Sequence, residues 1–230
     1  MPKHEPGVGM GDDAAERTAG PIRVVVVDDH EMVLEGIRRL LEGEPDIEVV
    51  GTASTVAGAV AVAEAGHPAV ALVDYQLPDG RGTDAATSIR AVSATTRTLI
   101  ITGSTEESVL VAAIEAGCSG VLTKNKAFAE LVGAIHVVAA GETYVDPHVL
   151  AAVRPSPAPR SPGLETIVSK REREVLVLMA QGRTNQAIGT DLFVSLNTVR
   201  NHVQSILRKL EVHSKLEAVF VARREGLLEP

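Results

Sequence analysis

Apolar residues in the first two thirds of the chain come in short runs that alternate with stretches of helical spacing. Positions 22–27 read IRVVVV, a mostly β-branched run interrupted only by Arg23 and ended by Asp28 and Asp29. Such a run suits a parallel strand buried on both faces. Val33, Leu34, Ile37, Leu40 and Leu41 then recur with the period of one helix face. The same reading places strands at 47–51, 69–73, 98–101 and 120–123, and helices at 32–41, 56–65, 83–91, 106–116 and 128–140. A (βα)5 alternation predicts an α/β fold, a doubly wound parallel sheet with helices on both faces.

The texture changes after this region. Residues 154–163 read RPSPAPRSPG, with prolines at 155, 157, 159 and 162. Such a stretch is extended and semi-rigid, as expected of an interdomain linker. Every periodic segment beyond it is helical. The expected organisation is a disordered leader at 1–20, an α/β domain at 21–142, a Pro-rich linker at 143–163 and a small four-helix domain at 164–230.

Composition refines this picture. Aromatics make up 2% of the chain and Trp is absent, so Val, Ala, Leu and Ile must build the core. The net charge of −8 argues against a nucleic-acid binder when taken over the whole chain. From Leu164 onward, however, 10 Lys and Arg face 8 Asp and Glu, giving +2, whereas the remainder holds 12 against 22, giving −10. An acidic module is thus joined to a mildly basic one. Cys118 is the one cysteine, so no intrachain disulfide can form. The leader lacks the apolar stretch of a secretory signal. No apolar run approaches the roughly 20 residues needed to span a bilayer. The expected compartment is the cytoplasm, with no membrane partner.

In a doubly wound sheet, ligands bind beyond the carboxyl ends of the strands. Four of the five expected strands end there in a polar group: Asp28 and Asp29 on the first, Asp74 on the third, Thr102 on the fourth and Lys124 on the fifth. A single strand-end Asp is usually a cap or turn residue. Five such groups on the correct strands form a constellation. Three crowded carboxylates need a cation, and oxygen ligands of this kind suit Mg²⁺. A lysine and a hydroxyl suit the other oxygens of a phosphoryl group.

The segments VVVVDDH, LVDYQLPDGRG, LIITGS and GVLTK resemble the receiver domain of two-component response regulators, over about 22–142. The resemblance implies that Asp74 accepts a phosphoryl group from a sensor histidine kinase. It also implies that Asp28, Asp29, Asp74 and the backbone carbonyl of Gln76 hold Mg²⁺, and that Thr102 and Lys124 engage the phosphoryl group. Gly103 leaves room beside that group. Two positions depart from the family pattern. Val121 stands where an aromatic residue is common, and Asn125 follows Lys124 where Pro is common. The expected switch therefore works through loop and helix shifts, without an aromatic rotamer change.

In the C-terminal part, Ser169-Lys170-Arg171-Glu172 has the pattern of a capping box. A short helix at 185–192 and the turn Phe193-Val194-Ser195 lead into a long helix at 196–210. Its outer side carries Arg200, Asn201, Gln204 and Arg208, residue types that bond base edges or phosphates. A helix-turn-helix fits this spacing, and so does a plain helical bundle with a solvated polar face. The stretch 169–219 resembles the LuxR-type helix-turn-helix of NarL/FixJ response regulators. The resemblance makes 197–210 the recognition helix, with Asn197, Thr198, Arg200, Asn201, Gln204, Arg208 and Lys209 as DNA-binding residues. It also implies a homodimer on inverted half-sites of double-stranded DNA, with the helix at 215–225 as its dimerisation element. Ala218, Val219, Val221 and Ala222 fit core and dimer seam equally. Phe193 replaces the family's turn glycine.

The resulting expectation is a DNA-binding response regulator and not an enzyme, switched by phosphorylation of Asp74. The alternative is a transcription factor whose receiver works without phosphorylation. A phosphatase with Asp74 as nucleophile is disfavoured, because Gln76 sits where a partner acid would be needed.

Overall fold

The computed structural model describes residues 20–153 and 167–228. The leader at 1–19 and the four prolines of the expected linker lie outside the described residues. The N-terminal unit runs β1 (Ile22–Val27), α1 (Glu31–Glu42), β2 (Ile47–Ala53), α2 (Val56–Gly66), β3 (Val70–Asp74), β4 (Gln76–Leu77) and β5 (Gly80–Arg81). It continues with α3 (Gly82–Val92), β6 (Arg97–Thr102), α4 (Glu107–Glu115), β7 (Gly120–Thr123), α5 (Lys124–Ala139), β8 (Tyr144–Val145) and α6 (Pro147–Ala152).

The main sheet has the order β2-β1-β3-β6-β7-β8, with every pair parallel. Alternate residues of each strand serve opposite layers. Val24 and Val26 pack toward α1 and α5, together with Ile37, Leu41, Leu131 and Ile135. Val25 and Val27 pack toward α2, α3 and α4, together with Ala59, Ala63, Ala85 and Leu110. Small residues at Ala59, Ala63, Ala85 and Ala86 fill the layer of α2 and α3, so an apolar core forms there without aromatics.

Three features were not anticipated. The segment expected to open the linker instead carries β8, which adds a sixth strand beside β7, and α6, which packs on α4 and β7. A two-residue strand flanked by polar residues has too little period to read from sequence. The tight hairpin of β4 and β5 follows Asp74 directly. α5 begins at Lys124, four residues before the apolar spacing of that helix becomes legible.

The helical unit comprises α7 (Lys170–Ala180), α8 (Asn185–Asp191), α9 (Leu196–Leu210) and α10 (Lys215–Arg224). Each begins at a hydroxyl cap: Ser169, Thr184, Ser195 and Ser214 accept from Glu172, Ala187, Thr198 and Glu217 backbone N–H groups. The expected capping box is present, with Ser169 N–H donating to Glu172 Oε2 at 2.7 Å. Ala218, Val219 and Ala222 lie inside this unit's own core, while Val221 is half-buried. The two units touch where Lys215 Nζ donates to the Glu142 carboxylate, while the same ammonium donates to Asn185 Oδ1 within the helical unit.

Asp146, fully buried at the N-terminus of α6, holds the edge of the sheet. Its carboxylate accepts from Thr123 N–H at 3.1 Å, from the Thr123 hydroxyl and from His148 N–H at 2.8 Å. Asp146→Ala leaves these buried donors without partners, and should cost about 2–4 kcal/mol. A urea denaturation series against the unsubstituted chain measures the loss.

Candidate functional site

Asp74 is the last residue of β3, Thr102 the last of β6, and Asp28 directly follows β1. These three are buried, while Asp29 is exposed. Lys124 is the first residue of α5 rather than the end of a strand. Its Nζ lies 2.9 Å from Asp28 Oδ2 and 2.8 Å from Asp74 Oδ2. The structure therefore brings together the five groups that sequence spacing singled out at the carboxyl edge of the sheet.

Local chemistry fixes their positions. Gly82 lets the hairpin press against β3, because a Cβ there would stand 2.2 Å from the Asp74 carbonyl oxygen. Asp79, at the hairpin tip, accepts from the first two N–H groups of α2, at 2.7 Å from Val56 and 3.2 Å from Ala57. His30 N–H donates to Asp28 Oδ1 at 2.9 Å, and its ring Nδ1 lies 2.7 Å from Asp29 Oδ1. Thr102 Oγ1 accepts from Ser104 N–H at 3.0 Å. Asp74 opens onto a cleft of about 570 Å³ lined also by Gln76, Arg81, Thr102, Gly103 and Ser104.

Electrostatics defines what the site lacks. Burial raises the Asp74 pKa; the Lys124 hydrogen bond opposes this, and the neighbouring Asp28 charge adds to it. Burial works against charge on Lys124, but hydrogen bonds to Asp74 and Asp28 outweigh it and raise its pKa. Three carboxylates against one ammonium leave two negative charges in a confined space. The facing oxygens of Asp28, Asp29 and Asp74, with a His30 nitrogen, lie within 4.8 Å of one another. The three carboxylates of this set fit a hard divalent cation, which prefers oxygen ligands.

The second candidate surface lies on α9. Asn197, Arg200, Asn201, Gln204 and Arg208 are exposed along it, and Val199, Val203, Ile206 and Leu210 are buried beneath. The α/β unit does not cover these polar residues. Thr198 is half-buried, with its hydroxyl 2.8 Å from Ser195 Oγ at the helix cap. Lys209 departs from expectation. Its ammonium bonds both oxygens of buried Glu172, at 2.8 and 2.6 Å, so it serves the unit's interior and not the exposed face. Position 209 lies a quarter-turn past Arg208, enough to bring its long side chain back against α7.

The turn between α8 and α9 holds a conformation that its residue type does not foretell. Phe193 has φ 56° and is 96% exposed. A bulky residue in this left-handed region costs about 1–2 kcal/mol relative to glycine.

A phosphoacceptor-type acidic site on a doubly wound sheet, joined to a helix-turn-helix, defines a receiver-controlled DNA-binding regulator. Residues 24–136 match the response regulator receiver domain, and 166–222 match the bacterial regulatory proteins of the luxR family. The chain is 35% identical over 208 residues to the "Probable transcriptional regulatory protein NarL" of Mycobacterium tuberculosis, covering 90% of this chain and 96% of that protein. It is also 35% identical over 211 residues to the transcriptional regulatory protein LiaR of Bacillus subtilis, covering 90% and 99%. Among solved structures, the receiver domain of the M. tuberculosis response regulator NarL is 35% identical, with a TM-score of 0.51 over 54% of this chain and 99% of that one. The chain belongs to the NarL/FixJ family of two-component response regulators. That family consists of DNA-binding transcriptional regulators and not enzymes. It implies a histidine kinase and DNA as partners. Among the described residues, no helix is long and apolar enough to cross a membrane.

Glu172 gives the helical unit a pH signature. Burial opposes its charge, yet hydrogen bonds from Lys209, Ser205 and Ser169 prevail and hold its carboxyl down at about 2. A depressed carboxyl stabilises the fold above its unfolded pKa of about 4.3. That contribution is lost as pH falls toward 2. Hydrogen exchange of α7 amides should accelerate through this window, and Glu172→Gln should flatten the dependence.

Proposed function

We propose that Asp74 is the phosphoacceptor and that its phosphorylation controls DNA binding by α9. The observation that carries this reading is the pair of buried carboxylates, Asp28 and Asp74, sharing the Lys124 ammonium at 2.9 and 2.8 Å. The working units are the receiver, extended by β8 and α6 to 21–153, a linker over the Pro-rich stretch 154–163 and the helix-turn-helix at 164–230, in a cytoplasmic protein.

Asp28, Asp29, Asp74 and the Gln76 carbonyl are the groups that would hold Mg²⁺. When bound, the ion supplies charge neutralisation for phosphoryl oxygens. The protein's own groups do the rest. A carboxylate oxygen of Asp74 attacks phosphorus of the phosphohistidine, the P–N bond breaks, and an acyl phosphate forms. Lys124 is placed to follow the new charge from the carboxylate to a phosphoryl oxygen. The Thr102 hydroxyl can turn to donate to another, and Gly103 leaves that space open.

Arg200, Asn201 and Gln204 are the proposed base-reading residues, flanked by Asn197, Thr198 and Arg208. Asn and Gln offer a donor–acceptor pair that matches adenine, and Arg a fork that matches guanine. Lys209 is left out of this set because Glu172 holds it. A homodimer on inverted half-sites is the proposed DNA-bound form.

Incubation with acetyl phosphate and Mg²⁺ should add a stable mass of about 80 Da, the size of a phosphoryl group. Asp74→Asn should abolish the adduct. An intact chain that takes no adduct under these conditions would support a phosphorylation-independent receiver. Arg200→Ala should weaken binding to the chain's own operator by about 1–3 kcal/mol in an anisotropy titration while sparing unrelated duplexes. Equal loss on all duplexes would assign Arg200 to phosphate.

A further inference from the structure

Phe193 occupies a position that its chemistry disfavours twice. The chain has three Phe, two Tyr and no Trp, so aromatic side chains are scarce. Yet this one is 96% exposed, with a left-handed φ of 56° that favours glycine. Among the described residues, the other non-glycine positions with positive φ, His67 and Glu211, are polar and well suited to water. A strained, solvated aromatic directs attention to what it could touch.

The turn is rigidly held. Arg171 Nη2 donates to Leu192 O at 2.5 Å, Phe193 N–H to Thr190 O at 3.3 Å, and Val194 N–H to Gly189 O at 2.9 Å. A Cβ at Gly189 would stand 2.9 Å from Val194 O, so the turn is pressed onto α8. Phe193 projects from this fixed point at the rim of a shallow cleft lined also by Gln186, Thr190 and Leu196. The N-terminal end of α9 follows immediately. Its exposed residues Asn197, Arg200, Asn201 and Gln204 recur at helical spacing, and Phe193 lines one cleft with Leu196, the first residue of that helix. The ring therefore sits beside the N-terminal end of α9, the end from which a recognition helix presents its first residues to base edges.

We propose that Phe193 is a DNA-contact residue whose ring packs on deoxyribose and thymine-methyl carbons at the edge of the major groove. The proposal rests on the reading of α9 as the recognition helix. Apolar contact to thymine methyls is a recognised mode of base readout and neutralises no phosphate. Its loss weakens binding without changing the number of counterions released.

Phe193→Gly separates contact from folding. Glycine accepts the left-handed turn, and the exposed ring gives up no internal packing. The melting temperature should hold or rise. The probe is a labelled duplex that the wild-type chain selects from a random-sequence pool, titrated at several salt concentrations beside Arg200→Ala. Phe193→Gly should raise Kd roughly 5- to 10-fold, the scale of a partly buried ring, with an unchanged salt slope. Wild-type affinity for Phe193→Gly beside weakened Arg200→Ala overturns the contact and leaves the recognition helix intact. Wild-type affinity in both variants overturns the reading of α9 as well. Unchanged DNA binding with lost transcription from a reconstituted promoter overturns the proposal in favour of a protein partner.

Discussion

The structure is organised around one shared ammonium. Asp28 and Asp74 are each almost fully buried, on adjacent strands β1 and β3, where two carboxylates repel strongly. Lys124, reaching across from the end of β7, touches both. The parallel sheet must therefore keep three strand ends level, in a register set by the pairing of β1, β3, β6 and β7. A slip of one residue would turn each strand's side chains to the opposite layer and take these groups out of the crevice.

The surroundings are arranged to keep that geometry. The hairpin after Asp74 is tied to α2 through Asp79 and lies against β3 through Gly82. On the other side, Thr123 immediately precedes Lys124 and is anchored to buried Asp146, which also caps α6. The site is thus framed by two polar attachments, one to α2 and one to α6. One lysine cannot balance three carboxylates, so the arrangement is stable but charge-deficient. A divalent cation or a phosphoryl group bound with one changes the balance of forces on Lys124 directly.

Much of this was legible in the sequence, for identifiable reasons. Strands buried on both faces leave uninterrupted β-branched runs, so β1 and β3 declared themselves, and the polar residue ending each run marked the crevice. The cap of α7 was visible because side-chain capping is local chemistry at fixed spacing. What escaped notice depends on distant partners. β8 is two residues long and is defined by pairing with β7. The role of Lys209 depends on Glu172, 37 residues away in sequence. The conformation of Phe193 comes from the close approach of α8 to the turn, which residue type alone argues against.

Val121 bears on how the two units communicate. It is fully buried between Ile100 and Val145 in the sheet, a compact side chain in a filled place. An aromatic swing at this position is therefore not available to report the state of Thr102. The polar attachment from Thr123 to Asp146 lies on the same strand, and it ends on α6, which packs against α4. Lys124 follows Thr123 without an intervening residue, and Asp146 holds Thr123 by one hydrogen bond from its backbone N–H and one from its hydroxyl. The recognition face on α9 is meanwhile open to solvent. α6, the last described element before the linker, is thus tied through Asp146 and Thr123 to the strand that ends beside the acidic site.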